Sequence, residues 1–250
     1  MSRALKKMRE GKTASCTKLN FSDSRAVEIA CLAGFDCIWT DMEHVAGDWL
    51  AAEKQILAAK AYQTDIIVRV SRGSYSDLIK PLELDASGIM VPHVMNTDDA
   101  REIVRTTRFH PLGRRPIDGG NADGGFCTIP VKEYLSRSNE EKMLIVQIED
   151  AEAEPYIDEI ARIDGIDVLF FGPGDYSHSL GVPGQTDHPD VEKARRKVAE
   201  SARKYHKIAG TVSGPDGVND LREMGYQFIS VGADVVGLYD YFSRCRTAFG

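Results

Sequence analysis

The sequence predicts an α/β fold, a (β/α)8 TIM barrel in a single domain spanning 1–250, and three observations carry that expectation. Eight short β-branched runs alternate with longer amphipathic stretches of helical period. The chain has 250 residues, the usual size of one such barrel. Polar residues gather at the C-terminal ends of otherwise apolar runs, where barrels of this kind build their sites. A doubly wound open sheet is the competing architecture.

Strands are expected at 15–20 (SCTKLN), 36–41 (DCIWTD), 65–70 (DIIVRV), 88–92 (GIMVP), 143–149 (MLIVQIE), 167–172 (DVLFFG), 208–213 (IAGTVS) and 227–233 (QFISVGA). Helical patterns lie near 23–33, 48–62, 74–86, 97–108, 151–162, 189–205, 215–224 and 235–247. The segment 109–142 interrupts this alternation. It is rich in Gly and Pro and too long for a passive connection, so it reads as a lid or interface segment with a short helix near 130–138.

Composition narrows the function. A net charge of −7 argues against a phosphate-backbone binder, so no nucleic-acid partner is expected, while a local cluster of arginine and metal could still hold a small anion. The five cysteines form no C-x-x-C pair, which disfavours a disulfide framework or structural zinc and suits a reducing cytoplasm. The basic N-terminus has no apolar stretch after it, and no apolar run approaches a membrane span.

Strand two ends in Asp41, Met42, Glu43 and His44, strand three in Arg69, strand five in Gln147 and Glu149, and strand six runs into Gly172-Pro173-Gly174-Asp175. Glu149 and Asp175 stand one βα unit apart, which puts two carboxylates on one rim from adjacent strands. Two carboxylates with open positions for substrate oxygens suit Mg²⁺ or a similar hard cation. The structural alternative makes Glu149 a solvated loop residue and Asp175 a turn or cap residue. Gly-Pro-Gly favours the first reading, as a tight turn with amides free to meet a carboxylate. Arg69 has the planar donors to stabilise an oxyanion, or makes a salt bridge across the mouth. Gln147 points to the same side as Glu149. His44 is flanked by acids, with Asp41 the expected partner and Glu43 behind it, as a general base requires. The other histidines read as inert, His178 being the nearest to the site. Val231 to Asp234 sits where many barrels bind phosphate, but packing is the preferred reading. Lys18 is the sole lysine on the expected strands, near the start of the chain, so a Schiff-base mechanism is disfavoured.

These residues together resemble the HpcH/HpaI aldolase family over about 21–240. The likeness is carried by GFDCIWTDMEH at 34–44, VRV with Arg69, SDLIKPLELDASGIMVPHV at 76–94, RFHPLGRR at 108–115, VQIED at 146–150 and GIDVLFFGPGDYSHSLG at 165–181. The resemblance implies a class II aldolase that cleaves a 4-hydroxy-2-oxo acid to pyruvate and an aldehyde with a divalent metal, Mg²⁺, Mn²⁺ or Co²⁺. It implies Glu149 and Asp175 as metal ligands, Arg69 on the pyruvate oxygen with Gln147 near it, and His44 as the acid/base group oriented by Asp41. Amides around Gly172, Pro173 and Gly174 would hold the substrate carboxylate. Glu83 falls where the family has an aspartate that reaches a neighbouring subunit's site. Trimers or hexamers that exchange C-terminal helices are implied too, and Val235, Val236, Leu238, Tyr241 and Phe242 suit that packing. Two stretches depart from the family pattern: Arg115 to Gly124, where the aldehyde half or an adjacent subunit would be met, and Ser15-Cys16-Thr17-Lys18 in strand one. An oxaloacetate decarboxylase or carbon–carbon synthase is the alternative enzyme, and a non-catalytic metabolite binder the alternative outside enzymes.

Overall fold

The computed structural model describes residues 2–250. Eight parallel strands follow one another around a closed barrel in sequence order. They are β1 (Ala14–Leu19), β2 (Cys37–Asp41), β3 (Asp65–Arg69), β4 (Gly88–Val91), β5 (Met143–Ile148), β6 (Val168–Phe171), β7 (Ile208–Ser213) and β8 (Tyr226–Ala233). Each lies within one residue of its expected bounds. The helices are α1 (Arg3–Arg9), α2 (Ser24–Leu32), α3 (Trp49–Ala61), α4 (Tyr75–Glu83), α5 (Thr97–Thr107), α6 (Val131–Glu141), α7 (Ile157–Ala161), α8 (Pro173–Ser179), α9 (Pro189–Lys204), α10 (Val218–Met224) and α11 (Asp234–Thr247). No helix among the described residues is long and apolar enough to cross a membrane. The five cysteines are free.

The two-residue period of a strand sorts side chains between the barrel interior and the helical layer. Cys37, Trp39, Ile67, Met90, Ile145, Val168, Phe170 and Phe228 share the interior cluster. Their neighbours Ile38, Ile66 and Val68 pack in a second cluster on one side, and Leu144, Val146, Leu169 and Phe171 in a third on the other, beneath the helices.

Two helices lie outside the expected set. One is α1, whose Ala4, Leu5 and Met8 are buried in the interior cluster. It seals the N-terminal end of the barrel: the Ser2 hydroxyl and the Ala4 amide both donate to Asp65 Oδ2 at 2.6 Å. Burying Leu5 and Met8 stabilises this plug by roughly 2 kcal/mol each. A single turn of apolar spacing within a basic stretch is too short to stand out in sequence. The other is α8. Pro173 occupies its first position, where the missing N–H costs nothing, so Gly-Pro-Gly starts a helix rather than an isolated turn.

The segment 109–142 is not a lid over this chain's own site. Helix α5 descends to the N-terminal end of the barrel, and the segment stays there. Arg115 and Asp123 pair at 3.0 Å with both side chains 1% exposed. Asp123 also meets Lys142, which pairs with Asp85 just before β4. Arg115 Cζ stacks 4.6 Å from the Phe109 ring. Residues 131–141 form α6, the expected short helix, slightly longer than read.

At the C-terminus, α11 has no buried residue. Val236, Tyr239, Tyr241 and Phe242 are each more than half exposed on it.

Candidate active site

Followed toward their C-terminal ends, the inward positions change from apolar to charged. Lys18 on β1, Asp41 on β2, Arg69 on β3 and Gln147 on β5 lie on the layer above Trp39 and Phe170, and Glu149 and Gly172 follow β5 and β6 directly. Parallel register places Asp41 opposite Arg69. Their carboxylate and guanidinium therefore meet in two places, with Arg69 Nε donating to Oδ1 at 3.0 Å and Nη2 meeting Oδ2. Lys18 Nζ reaches the same Oδ2 at 2.9 Å. Burial alone would raise the Asp41 carboxyl, but Arg69 and then Lys18 outweigh it and bring it down to about 2.

Glu149 is 1% exposed. Its Oε1 accepts from the His93 amide at 2.9 Å and its Oε2 from Gln147 Nε2 at 3.0 Å. Gly172 makes room for it: a Cβ there would stand 2.6 Å from Glu149 Oε2. Burial pushes the Glu149 carboxyl up to about 7. The His93 amide and ring oppose that rise, and the Asp175 carboxylate adds to it. Asp175 itself is exposed in the first turn of α8. A buried carboxylate held up in this way beside a second one is a place that gains from a cation. Among the described residues no group of three or more His, Cys, Asp or Glu side chains is set to hold a metal, so the protein would provide two ligands and leave the rest to other oxygens. The residues fit a hard divalent ion on those terms.

Several expectations need correction. His44 is paired with Glu43, at 3.5 Å, and not with Asp41, whose oxygens are taken by Arg69, Lys18 and the Glu43 amide. The Gly172 amide is not free, because it donates to the Ile148 carbonyl at 3.1 Å. Pro173 has no amide hydrogen, which leaves the first turn of α8 from Gly174 onward to meet an anion. His178 is exposed on α8, and the histidine nearest the carboxylates is His93. Its ring lies 2.9 Å from Asp150 and 3.7 Å from Glu43, and its φ is +51°. That left-handed backbone at a non-glycine is the signal of strain at a site, and it is invisible in sequence.

Glu83 ends α4 at the other end of the barrel from Glu149, where its carbonyl accepts from the Asp123 amide at 3.3 Å. It does not enter its own chain's mouth. Asp234 accepts from the Asn20 and Phe21 amides at 2.8 and 2.9 Å, a structural task that agrees with packing rather than phosphate binding there.

The family model described as HpcH/HpaI aldolase/citrate lyase matches residues 19–240. A hydroxypyruvate/pyruvate aldolase of Roseobacter denitrificans is 33% identical over 237 residues, covering 93% of this chain and 91% of the relative. The solved structure of an HpcH/HpaI aldolase/citrate lyase family protein from Burkholderia cenocepacia superposes with a TM-score of 0.92 at 29% identity, covering 100% of this chain and 99% of that one. That of the citrate synthase SbnG gives 0.89 at 28% identity, with 98% and 96% covered.

Proposed function

We propose a metal-dependent aldol cleavage for this chain, which belongs to the HpcH/HpaI aldolase/citrate lyase family. The enzyme is a carbon–carbon lyase that takes a 4-hydroxy-2-oxo acid to pyruvate and an aldehyde. The whole of 1–250 acts as one catalytic domain. The observation that carries the reading is the buried Glu149 carboxylate, pushed up to about 7 beside Asp175 at the mouth of the barrel.

A divalent cation held by Glu149 and Asp175 would supply Lewis-acid stabilisation of the enolate charge. Asp41 holds the Nε and Nη2 edge of Arg69, fixing a guanidinium that shares the charge on the pyruvate oxygen. Gln147 is tied to Glu149 through its amide nitrogen, and its buried Oε1 has no partner among the described residues, so it is open to a substrate hydroxyl. His44, beside Glu43, takes the C4 hydroxyl proton. The C3–C4 bond breaks, its electron pair goes to the pyruvate enolate, and the aldehyde carbonyl forms. A proton then returns to C3 to give pyruvate. The first-turn amides at Gly174 and Asp175 suit the substrate carboxylate.

Trimers or hexamers joined through α11 are part of the same reading. A helix with no buried residue and an exposed Val236, Tyr241 and Phe242 has its apolar face to give to another subunit. Glu83 would then serve a neighbour's mouth. A cytoplasmic setting agrees with the free cysteines.

The test is pyruvate release from a panel of 4-hydroxy-2-oxo acids and oxaloacetate, with Mg²⁺, Mn²⁺ or Co²⁺ and with EDTA. Pyruvate with an aldehyde, lost in EDTA, is the expected result. The likeness to a citrate synthase supports a second reading, in which the enolate arises from or joins another oxo acid. Pyruvate from oxaloacetate alone would favour it, and no turnover at all would refute both.

A further inference from the structure

We propose that Lys18 is a second anion-binding group of the mouth, and that the aldehyde half of the substrate carries a carboxylate. The proposal rests on the reading that Arg69 holds the 2-oxo end of the substrate. Three observations lead to it. The first is position. Lys18 continues the inward series Ala14, Cys16 on β1, and its ammonium lies among barrel-interior groups, 2.9 Å from Asp41 and 5.3 Å from the centre of the Trp39 ring. Its side chain is 22% exposed, and from an inward position that opening faces the mouth.

The second is charge. Asp41 is already served by two nitrogens of Arg69, and Lys18 meets the oxygen that Arg69 Nη2 also meets. Arg69 also meets a second acid, Glu43, at 3.1 Å, whereas Lys18 shares Asp41 and has no acid of its own. Asp41 is the one acid within ion-pair distance of Lys18 among the described residues, so two of the three ammonium hydrogens remain for a ligand. The third is an unmet donor beside it. Trp39 is 3% exposed, and its indole N–H has no acceptor among the described residues. The β1 side of the mouth therefore offers the ammonium hydrogens of Lys18, whereas the β5–β6 side offers the carboxylates Glu149 and Asp175. A ligand bound through its 2-oxo end near Arg69 and bearing a second carboxylate a few bonds away matches both sides. An uncharged aldehyde would leave the Lys18 hydrogens to water.

The same lysine could instead attack the carbonyl as a Schiff-base nucleophile. Trapping with borohydride separates that role from anion binding.

The experiment is calorimetric binding to the full-length enzyme with Mn²⁺, using 2-oxoglutarate and the uncharged 2-oxopentanoate of equal length. The wild type should prefer 2-oxoglutarate. Lys18→Met should lower that preference by about tenfold or more, the worth of one hydrogen bond between charged groups, and Lys18→Arg should restore part of it. An equal loss for both ligands in Lys18→Met, with Lys18→Arg no better, would overturn the proposal and make Lys18 a scaffold for Asp41. A covalent adduct at Lys18 after borohydride treatment with pyruvate would overturn it too. Binding is read without turnover, so failure of the aldolase reading in the pyruvate-release assay remains distinguishable from failure here.

Discussion

At either end of the barrel a buried arginine meets a buried aspartate, and the surroundings of the two pairs differ. At the N-terminal end Arg115 and Asp123 are joined by Ser138 and Lys142, and Lys142 goes on to Asp85, so positive and negative groups alternate. At the mouth Arg69 meets both Asp41 and Glu43 and Lys18 meets Asp41, while Glu149 stands beside Asp175 and the His93 ring reaches Glu149, Asp150 and Glu43. A buried ion pair alone therefore marks no site. The mouth is set apart by charge that its own neighbours leave unbalanced: Arg69 and Lys18 are matched by Asp41 and Glu43, whereas Glu149 and Asp175 put two carboxylates together beyond β5 and β6. That imbalance costs stability unless a ligand completes it.

The contrast is broken most severely at Glu149. Glu149→Gln keeps the shape beside Gly172 and removes the charge. Metal-dependent pyruvate release should fall by about a thousandfold or more, given the several kcal/mol that a Lewis-acid metal supplies, and a steady-state assay across Mn²⁺ concentrations checks it. The N-terminal pair should respond in stability rather than chemistry. Asp123→Ala strands Arg115 without its acid, and urea unfolding should show a loss of about 3–5 kcal/mol. A small effect would mean that the two ends are more alike than their contacts suggest. His44→Ala should slow turnover by about a hundredfold or more if the imidazole is the base. A Glu43→Gln variant sharpens this further, because it removes the acid that the histidine does meet, and a changed pH–rate profile is its readout.

Acid gives the smallest effect. The Asp41 carboxyl is brought down to about 2, below its ordinary 3.8. A lowered carboxyl contributes stability that is present above the unfolded value and is lost as pH falls through the folded one. Asp41 should thus contribute about 2 kcal/mol near neutrality that fades between about pH 4 and pH 2. Wild type and Asp41→Asn should converge in stability over that range, as followed by urea unfolding.

The barrel was legible because its strands alternate by two and its polar rim ends each apolar run, patterns that a linear reading sees. Asp41, Arg69, Gln147 and Glu149 were found by that rule, and the register between β2 and β3 accounts for the pairing of the first two. What escaped was decided by distance in space. The loop at Arg115 to Gly124 follows a helix back to the N-terminal end, so its unusual sequence bears on that end and not on its own mouth. His93 reaches Glu149 through a backbone conformation that no residue type announces. Lys18 stands early in the chain, and only closure of β1 against β2 carries it beside Asp41. The first strand's departure from the family pattern is visible in the sequence, and its place beside Asp41 is not.

The position of Trp39 has a practical consequence. Its ring centre lies 5.0 Å from Arg69 and 5.3 Å from Lys18, and the chain has two tryptophans in all. Indole emission responds to nearby charge, so a ligand that draws either cation away shifts the light this residue gives off. The protein carries its own optical gauge of occupancy, and Trp49→Phe would leave Trp39 as its single source.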